Sequence, residues 1–288
     1  MKISLNKSVK TLIKVVISFA ALYFVFTKIE LSQIISIYKN VNFLWLLMAG
    51  ICFILSKSIA SLRLNKFFRS IEIQITEIQN LKLYLLGMFY NLFLPGGIGG
   101  DGYKIFILNK KFEVGTKKIF WSVLVDRLSG VFALFSLSII LLFFFKIESS
   151  FNYLRVVWIL IPVGFLFFYF IIRRFAHYLK VVIFETSIMS FLVQISQLFS
   201  VSFILMALGV DEFQFSYLFI FLISSIVAML PISIGGMGLR ELTFLYGSQF
   251  LFLDEGSSIA ISLMFYLITA VVSLTGMYYS IRTDKIRI

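Results

Sequence analysis

The chain has 288 residues, 60% of them hydrophobic, at a mean hydropathy of +0.99. Soluble domains are roughly 45–50% apolar, so the excess has to face lipid, which excludes a soluble globular fold. Lys and Arg outnumber Asp and Glu by 26 to 14, but the bases are scattered among short loops, which reads as the positive-inside bias of a membrane protein and excludes a nucleic-acid site.

Apolar runs of about 20 residues can span a bilayer core. The first, about 11–27, follows Lys2, Lys7 and Lys10. It lacks a small-residue cleavage site and therefore reads as an uncleaved membrane helix. The second covers about 42–62. Leu81–Leu94 is too short to cross and ends in Pro95-Gly96-Gly97, a cluster that breaks a helix. Further spans are expected at about 119–145, 153–172 (kinked at Pro162) and 184–208. Phe215–Leu230 ends in Pro231 and soon reaches Gly235-Gly236, and a last span covers about 257–281. Lys14 and Lys57 lie near the ends of their runs, where long side chains snorkel. Cys52 lies in an apolar run and has no second cysteine to pair with, and His177, in a basic loop, is the one histidine.

Loop charges order these elements across the membrane. The N-terminus, the segment with Arg63, Lys66 and Arg69, the segment Lys104–Lys118, the segment with Arg173, Arg174 and Lys180, and the tail with Arg282 are basic. The segments near Glu30, Glu148, Asp211-Glu212 and Asp254-Glu255 are poorer in base. A full crossing by Leu81–Leu94 would put two strongly basic segments on opposite faces, against the positive-inside rule. A re-entrant hairpin removes the conflict, and the same logic makes Phe215–Leu253 a hairpin from the outer face. The reading is one all-α polytopic membrane domain over residues 1–288, with six spanning helices and two re-entrant hairpins, eight apolar elements in all. Repeat one covers about 8–146 and repeat two about 153–282, in opposite orientations, with both termini in the cytoplasm. Transporters built on inverted repeats hold substrate near the midplane, where the repeats meet.

The repeat is also visible in letters. Leu94–Lys104 and Leu230–Arg240 share L-P-x-x-I-G-G-x-G-x followed by a base, without gaps, and two of the 3 prolines occupy the same place in it. Broken helices at membrane depth are tolerated where they line a wet cavity. Glycine lets a ligand approach the backbone, and a helix that starts there points its positive end at an anion. The candidate head-group site is therefore Asn91, Pro95, Gly97, Gly99, Gly100, Asp101, Gly102, Lys104, Asp126, Arg127, Pro231, Gly235, Gly236, Gly238, Arg240 and Glu241. Asn91 stands one turn before Pro95, within reach of freed backbone or ligand. Charges within apolar runs usually face a cavity or one another. Asp101, Lys104, Asp126, Arg127, Arg240 and Glu241 are accordingly expected to converge, the acids balancing bases or carrying protons. The same letters also suit two structural turns with snorkelling bases, and Asp126-Arg127 also suits an ion pair near the cytoplasmic end. Aromatic residues, 18% of the chain, fit a lipid-facing surface and equally an acyl-chain groove. No nucleotide loop, metal-ligand cluster, nucleophile elbow or acidic pair is present, so neither an enzyme nor a cofactor or metal is expected.

The stretch Asn91–Asp101, then Asp126-Arg127-Leu128, then Pro231–Glu241 resembles the flippase-like membrane domain of lysylphosphatidylglycerol synthases, over nearly the whole chain. The resemblance implies movement of an aminoacylated phospholipid, or another lipid in stand-alone members, across the cytoplasmic membrane. It carries over Asn91, Pro95, Gly99, Gly100, Asp101, Arg127, Pro231, Gly235, Gly236, Gly238, Arg240 and Glu241. Two departures stand out. Lys104 occupies a place where Arg is expected, and the sequence reaches Ile288 without a soluble aminoacyl-transfer domain, so synthesis of lysyl-lipid by this chain alone is not expected. Stand-alone members sit beside glycolipid and polyprenyl-phosphate chemistry, which keeps that substrate class open. The expected partners are membrane lipids with anionic head groups and a separate lipid-modifying enzyme. Two other functions fit the letters: a membrane-embedded enzyme or accessory subunit acting on a lipid-linked sugar, with Asp101 and Glu241 catalytic, and a small-solute carrier.

Overall fold

The computed structural model describes residues 31–39, 41–93, 98–142, 157–230 and 235–281, together with the single positions Tyr23, Phe144 and Ser233. The expected span 11–27 with Lys14, both chain termini, residues 153–156, and Pro95, Gly97 and Pro231 lie outside the described residues. The described elements are helices: α1 (Leu31–Lys39), α2 (Phe43–Arg69), α3 (Glu77–Phe93), α4 (Gly99–Phe112), α5 (Thr116–Leu142), α6 (Leu160–Phe175), a 3₁₀ turn (His177–Val182), α7 (Ile183–Ala207), α8 (Gln214–Ala228), α9 (Leu239–Phe250), α10 (Glu255–Leu274) and α11 (Met277–Ile281).

Phe43–Arg69, Thr116–Leu142, His177–Ala207 and Glu255–Ile281 are long and apolar enough to cross a membrane. They fall on four of the expected spans. A 27-residue helix such as α2 is about 40 Å long, more than the bilayer core of roughly 30 Å. The 153–172 span is described from residue 157, and Pro162 sits in the first turn of α6. Val157 is helical and residues 158–159 form a turn before α6 begins, so the proline, which cannot donate to the carbonyl four positions back, sits where a kink in the span is expected.

Local chemistry sets the boundaries. The Asn42 side chain accepts the Leu44 N–H (3.0 Å) and starts α2; the Asp254 carboxylate accepts the Ser257 N–H (2.6 Å) and starts α10. Between α8 and α9, Gly235, Gly236 and Gly238 all have positive φ, at 59°, 82° and 83°. Other residues rarely adopt that conformation, and three of them in four positions end one helix and start another.

The register that sets Pro231 on Pro95 is a shift of 231 − 95 = 136 positions. It carries Phe43–Arg69 to 179–205, where α7 is Ile183–Ala207, and Glu77–Phe93 to 213–229, where α8 is Gln214–Ala228. Helix pairings correspond in the same way. The pair α2–α3 answers α7–α8, α3–α4 answers α8–α9, α4–α5 answers α9–α10, and α5–α8 answers α10–α3. The counterparts α2 and α7 lie against each other and run antiparallel. The Asn42 N–H donates to the Ala207 carbonyl (2.9 Å), the Ser200 hydroxyl to the Ala49 carbonyl (2.8 Å), and Arg63 Nη1 to Ser190 Oγ (2.8 Å).

Two apolar clusters occupy opposite ends of this pair. One gathers Leu64, Phe67 and Phe68 at the end of α2 with Leu83 of α3, Leu108 of α4, Ile119 of α5 and Ile183 of α7. The other gathers Ala49 and Phe53 at the start of α2 with Leu137 of α5, Leu205 of α7, Phe221 of α8, Phe244 of α9 and Ile259 of α10. The hairpin α3/α4 thus has its base in the first cluster, and the hairpin α8/α9 has its base in the second.

Within the first hairpin the helices cross at glycine. A Cβ on Gly100 would overlap the Gly87 carbonyl oxygen, whereas a Cβ on Gly102 meets nothing within 4 Å. Overpacking of this kind costs about 1–3 kcal/mol or more. Gly100→Ala is therefore expected to lower the melting temperature of the detergent-solubilised protein, and Gly102→Ala to leave it within a degree or so of the parent. Equal melting of the two variants would refute the crossing.

Candidate functional site

The tips of the two hairpins meet between the clusters. A Cβ on Gly235 would lie 3.4 Å from the Leu92 carbonyl oxygen and 3.7 Å from that of Asn91, so the α8/α9 break rests on the last turn of α3. Asn91 in turn accepts the Gly100 N–H on its Oδ1 (2.8 Å) and ties the end of α3 to the start of α4. Beside this junction lies a cavity of about 240 Å³. It falls below the roughly 300–1,000 Å³ of drug-sized sites, with room for a small polar group only.

Seven helices and Met229 line it. Lys57, Ala60 and Arg63 come from α2, Tyr84, Met88 and Asn91 from α3, Asp101 and Lys104 from α4, Asp126, Arg127, Gly130 and Leu134 from α5, Val193, Gln194 and Gln197 from α7, and Ser225 and Met229 from α8 and its end. Arg240 of α9 completes the wall. Five bases thus face two carboxylates, an excess of three positive charges (5 − 2 = 3).

Some of that charge is neutralised internally. Arg63 Nε donates to Asp126 Oδ1 at 2.7 Å. Asp101 accepts Lys104 Nζ on Oδ1 (3.2 Å) and Arg127 Nε on Oδ2. The Lys104 ammonium also lies 4.6 Å from the centre of the Tyr84 ring. Lys57 and Arg240 differ. Among the described residues, neither has a carboxylate within the 4.0 Å of an ion pair. Lys57 Nζ stands 4.6 Å from the Phe53 ring centre, and the Arg240 guanidinium 4.8 Å from Phe265 and 5.7 Å from Phe221. Rings soften the loss of water around a cation but do not neutralise it. Three buried polar atoms on lining residues have no hydrogen-bond partner: Arg240 Nη1, Gln194 Oε1 and Ser225 Oγ. Buried polar groups are normally satisfied, so these three atoms are open to water or to a polar ligand.

Of the expected site residues, Asn91, Asp101, Lys104, Asp126, Arg127 and Arg240 come together here. Gly99 and Gly100 form the first turn of α4, with Gly100 at the helix crossing, and Gly235, Gly236 and Gly238 form the second break. Gly102 is exposed and away from the cavity. Glu241 does not face the cavity. Its Oε2 accepts the Gly238 N–H (2.7 Å), which caps the start of α9, and its Oε1 accepts the Ser262 hydroxyl (3.0 Å). The helix starts expected to offer bare N–H groups are therefore capped at Gly100 and Gly238 from within, and the positive wall is made of side chains.

Lys57 does not snorkel. The helix α2 continues to Arg69, seven residues past the expected end at 62, which leaves Lys57 near its middle and turned into the cavity. Arg63 and Lys104 are not loop bases either; they are 5% and 4% exposed. The topology argument loses those two charges but keeps Lys66, Arg69, Lys110, Lys111, Lys117 and Lys118. Tyr84, Gln194, Gln197 and Ser225 went unread in the sequence. For α7 a signal exists: Ser187, Ser190, Gln194 and Gln197 recur at helical spacing inside an apolar run, and all are buried.

A comparison with curated proteins gives no match. The family described as "Lysylphosphatidylglycerol synthase TM region" matches residues 11–276, a stretch that contains both proline–glycine breaks and every cavity-lining residue. On that match the chain belongs to the lysylphosphatidylglycerol synthase TM region family.

Proposed function

We propose that this chain is a lipid carrier of the cytoplasmic membrane, in which two re-entrant hairpins and six spanning helices form an inverted repeat around an anionic head-group site. The observation that carries the reading is the cavity where the ends of the two helix pairs meet, with its excess of bases and the two cations, Lys57 and Arg240, that no described carboxylate answers. Intramembrane charge is costly and marks substrate paths. The antiparallel pairing of α2 with its counterpart α7, and hairpins based at opposite ends, support alternating access by one half rocking against the other. The enzyme reading draws less support. Both oxygens of Asp101 and both of Glu241 are already engaged, so neither of the two acids that reading needs is free to take a proton from substrate.

The direct test reconstitutes the protein in liposomes with labelled anionic phospholipids and follows their appearance in the opposite leaflet. Movement of a water-soluble solute without any lipid would favour the small-solute carrier instead. Topology has its own test. Lys66 and Lys110 lie in the last turns of α2 and α4, so in a Cys52→Ser background, cysteines placed at these two positions should both react with an impermeant reagent from the cytoplasmic side only. Labelling from opposite sides would remove the re-entrant hairpin.

A further inference from the structure

We infer that the cavity selects a lipid ending in a phosphate monoester or diphosphate, a head group with two or more negative charges and no amine, over singly charged and aminoacylated phospholipids. The inference rests on the carrier reading above and specifies its cargo. It follows from which charges are already spent. Asp101 gives one oxygen to Lys104 and the other to Arg127, and Asp126 is held by Arg63. The nearest further acid, Glu241, is 1% exposed and spends both oxygens on Gly238 and Ser262. An ammonium group brought into this cavity would meet five bases and two carboxylates that already pair with three of them. A lysyl head group carries two such ammoniums and is net positive, so the wall repels it.

The uncommitted groups define the complementary ligand. Lys57 and Arg240 reach the cavity from α2 and α9, in different halves of the repeat, and neither needs a protein anion displaced before it binds. Arg240 Nη1 is an open donor, while Gln194 Oε1 and Ser225 Oγ are open acceptors suited to a P–OH or hydroxyl. A phosphate monoester brings a charge of about −1.5 to −2 and three acceptor oxygens, enough to engage both free cations at once. A phosphodiester such as phosphatidylglycerol brings one charge and two free oxygens and satisfies one of them.

Three lipids with the same acyl chains separate these cases: phosphatidic acid, phosphatidylglycerol and lysylphosphatidylglycerol, with inorganic phosphate as the soluble arm. Each is titrated into the purified full chain in detergent and read by native mass spectrometry or ligand-induced melting. Phosphatidic acid should bind about tenfold more tightly than phosphatidylglycerol, the equivalent of one additional charge-assisted hydrogen bond, and lysylphosphatidylglycerol most weakly. Lys57→Gln and Arg240→Gln orphan no carboxylate; each should melt like the parent and bring the first two lipids to near-equal affinity. The parent alone supplies a second reading: the preference should fade as the phosphatidic acid dianion takes up one proton near pH ~6 and becomes a monoanion, while phosphatidylglycerol binding stays level. Lysylphosphatidylglycerol or phosphatidylglycerol binding as tightly as phosphatidic acid would overturn the selectivity and leave the carrier standing. Inorganic phosphate binding as tightly would overturn the lipid as ligand. Retention of no lipid at all would bring down the carrier reading and the selectivity together.

Discussion

Arg240→Ala should slow lipid movement in liposomes at least tenfold and leave the protein folded. Both parts follow from what surrounds the guanidinium. Its Nη1 has no partner, no described carboxylate pairs with it, and its neighbours are the faces of Phe221 and Phe265. Truncation strands no buried anion, so the large cost of breaking a buried pair does not arise. What is lost is a donor to the cargo, and a hydrogen bond to a charged group contributes about 1.5–3 kcal/mol, or roughly ten- to a hundredfold in affinity. Arg240→Lys restores charge without the planar fork and should recover only part of the rate. Lys111→Ala, at the exposed end of α4, removes an equal charge from the chain and should change nothing. Arg240→Ala moving lipid at the parental rate would take Arg240 out of the site, and with it the second half of the repeat.

Much of this architecture was legible in the sequence, because the letters that encode it act locally. Apolar runs long enough to cross work within a few residues, so α2, α5, α7 and α10 fall where their letters put them. The duplicated motif leads to the expectation that the two breaks lie close together, and Gly235 packs on the backbone of Leu92, at the end of the helix that precedes the first motif. The errors sit where a residue's fate depends on a partner far along the chain. Arg63 follows the apolar run at 42–62 and looks like the first base of a loop. It is buried because Asp126, 63 positions away, waits for it and because Leu64, Phe67 and Phe68 draw the helix on into an apolar cluster. Lys57 was misjudged for the same reason, since the true end of the helix fixes how far it is from water. The glycines show the opposite failure. Their number suggested bare backbone facing a ligand, yet Gly100 serves a helix crossing and Gly238 a cap.

The Arg63–Asp126 pair tests whether this buried charge also holds the fold. The side chains are 6% and 10% exposed, 2.7 Å apart, and Arg63 also donates to Ser190 of α7. The pair therefore ties α2, α5 and α7 together at one edge of the cavity. Removing either partner leaves the other buried and uncompensated, which costs about 3–5 kcal/mol, a large share of the 5–15 kcal/mol that holds a typical soluble domain. Arg63→Met and Asp126→Leu are each expected to aggregate or to melt far below the parent in detergent. The double variant removes both charges and replaces them with apolar volume, which at other buried pairs is close to neutral; it should melt nearer the parent than either single variant. Its transport rate then separates two roles. With the pair gone, Asp101 becomes the one carboxylate that faces the cavity, four bases remain, and the excess of three positive charges is unchanged. Anionic lipid should still bind, so a double variant that folds but no longer binds it would mean that the pair shapes the site as well as the scaffold. A double variant less stable than both single ones would instead show that each charge has another partner, and that the three helices are not joined through this bridge.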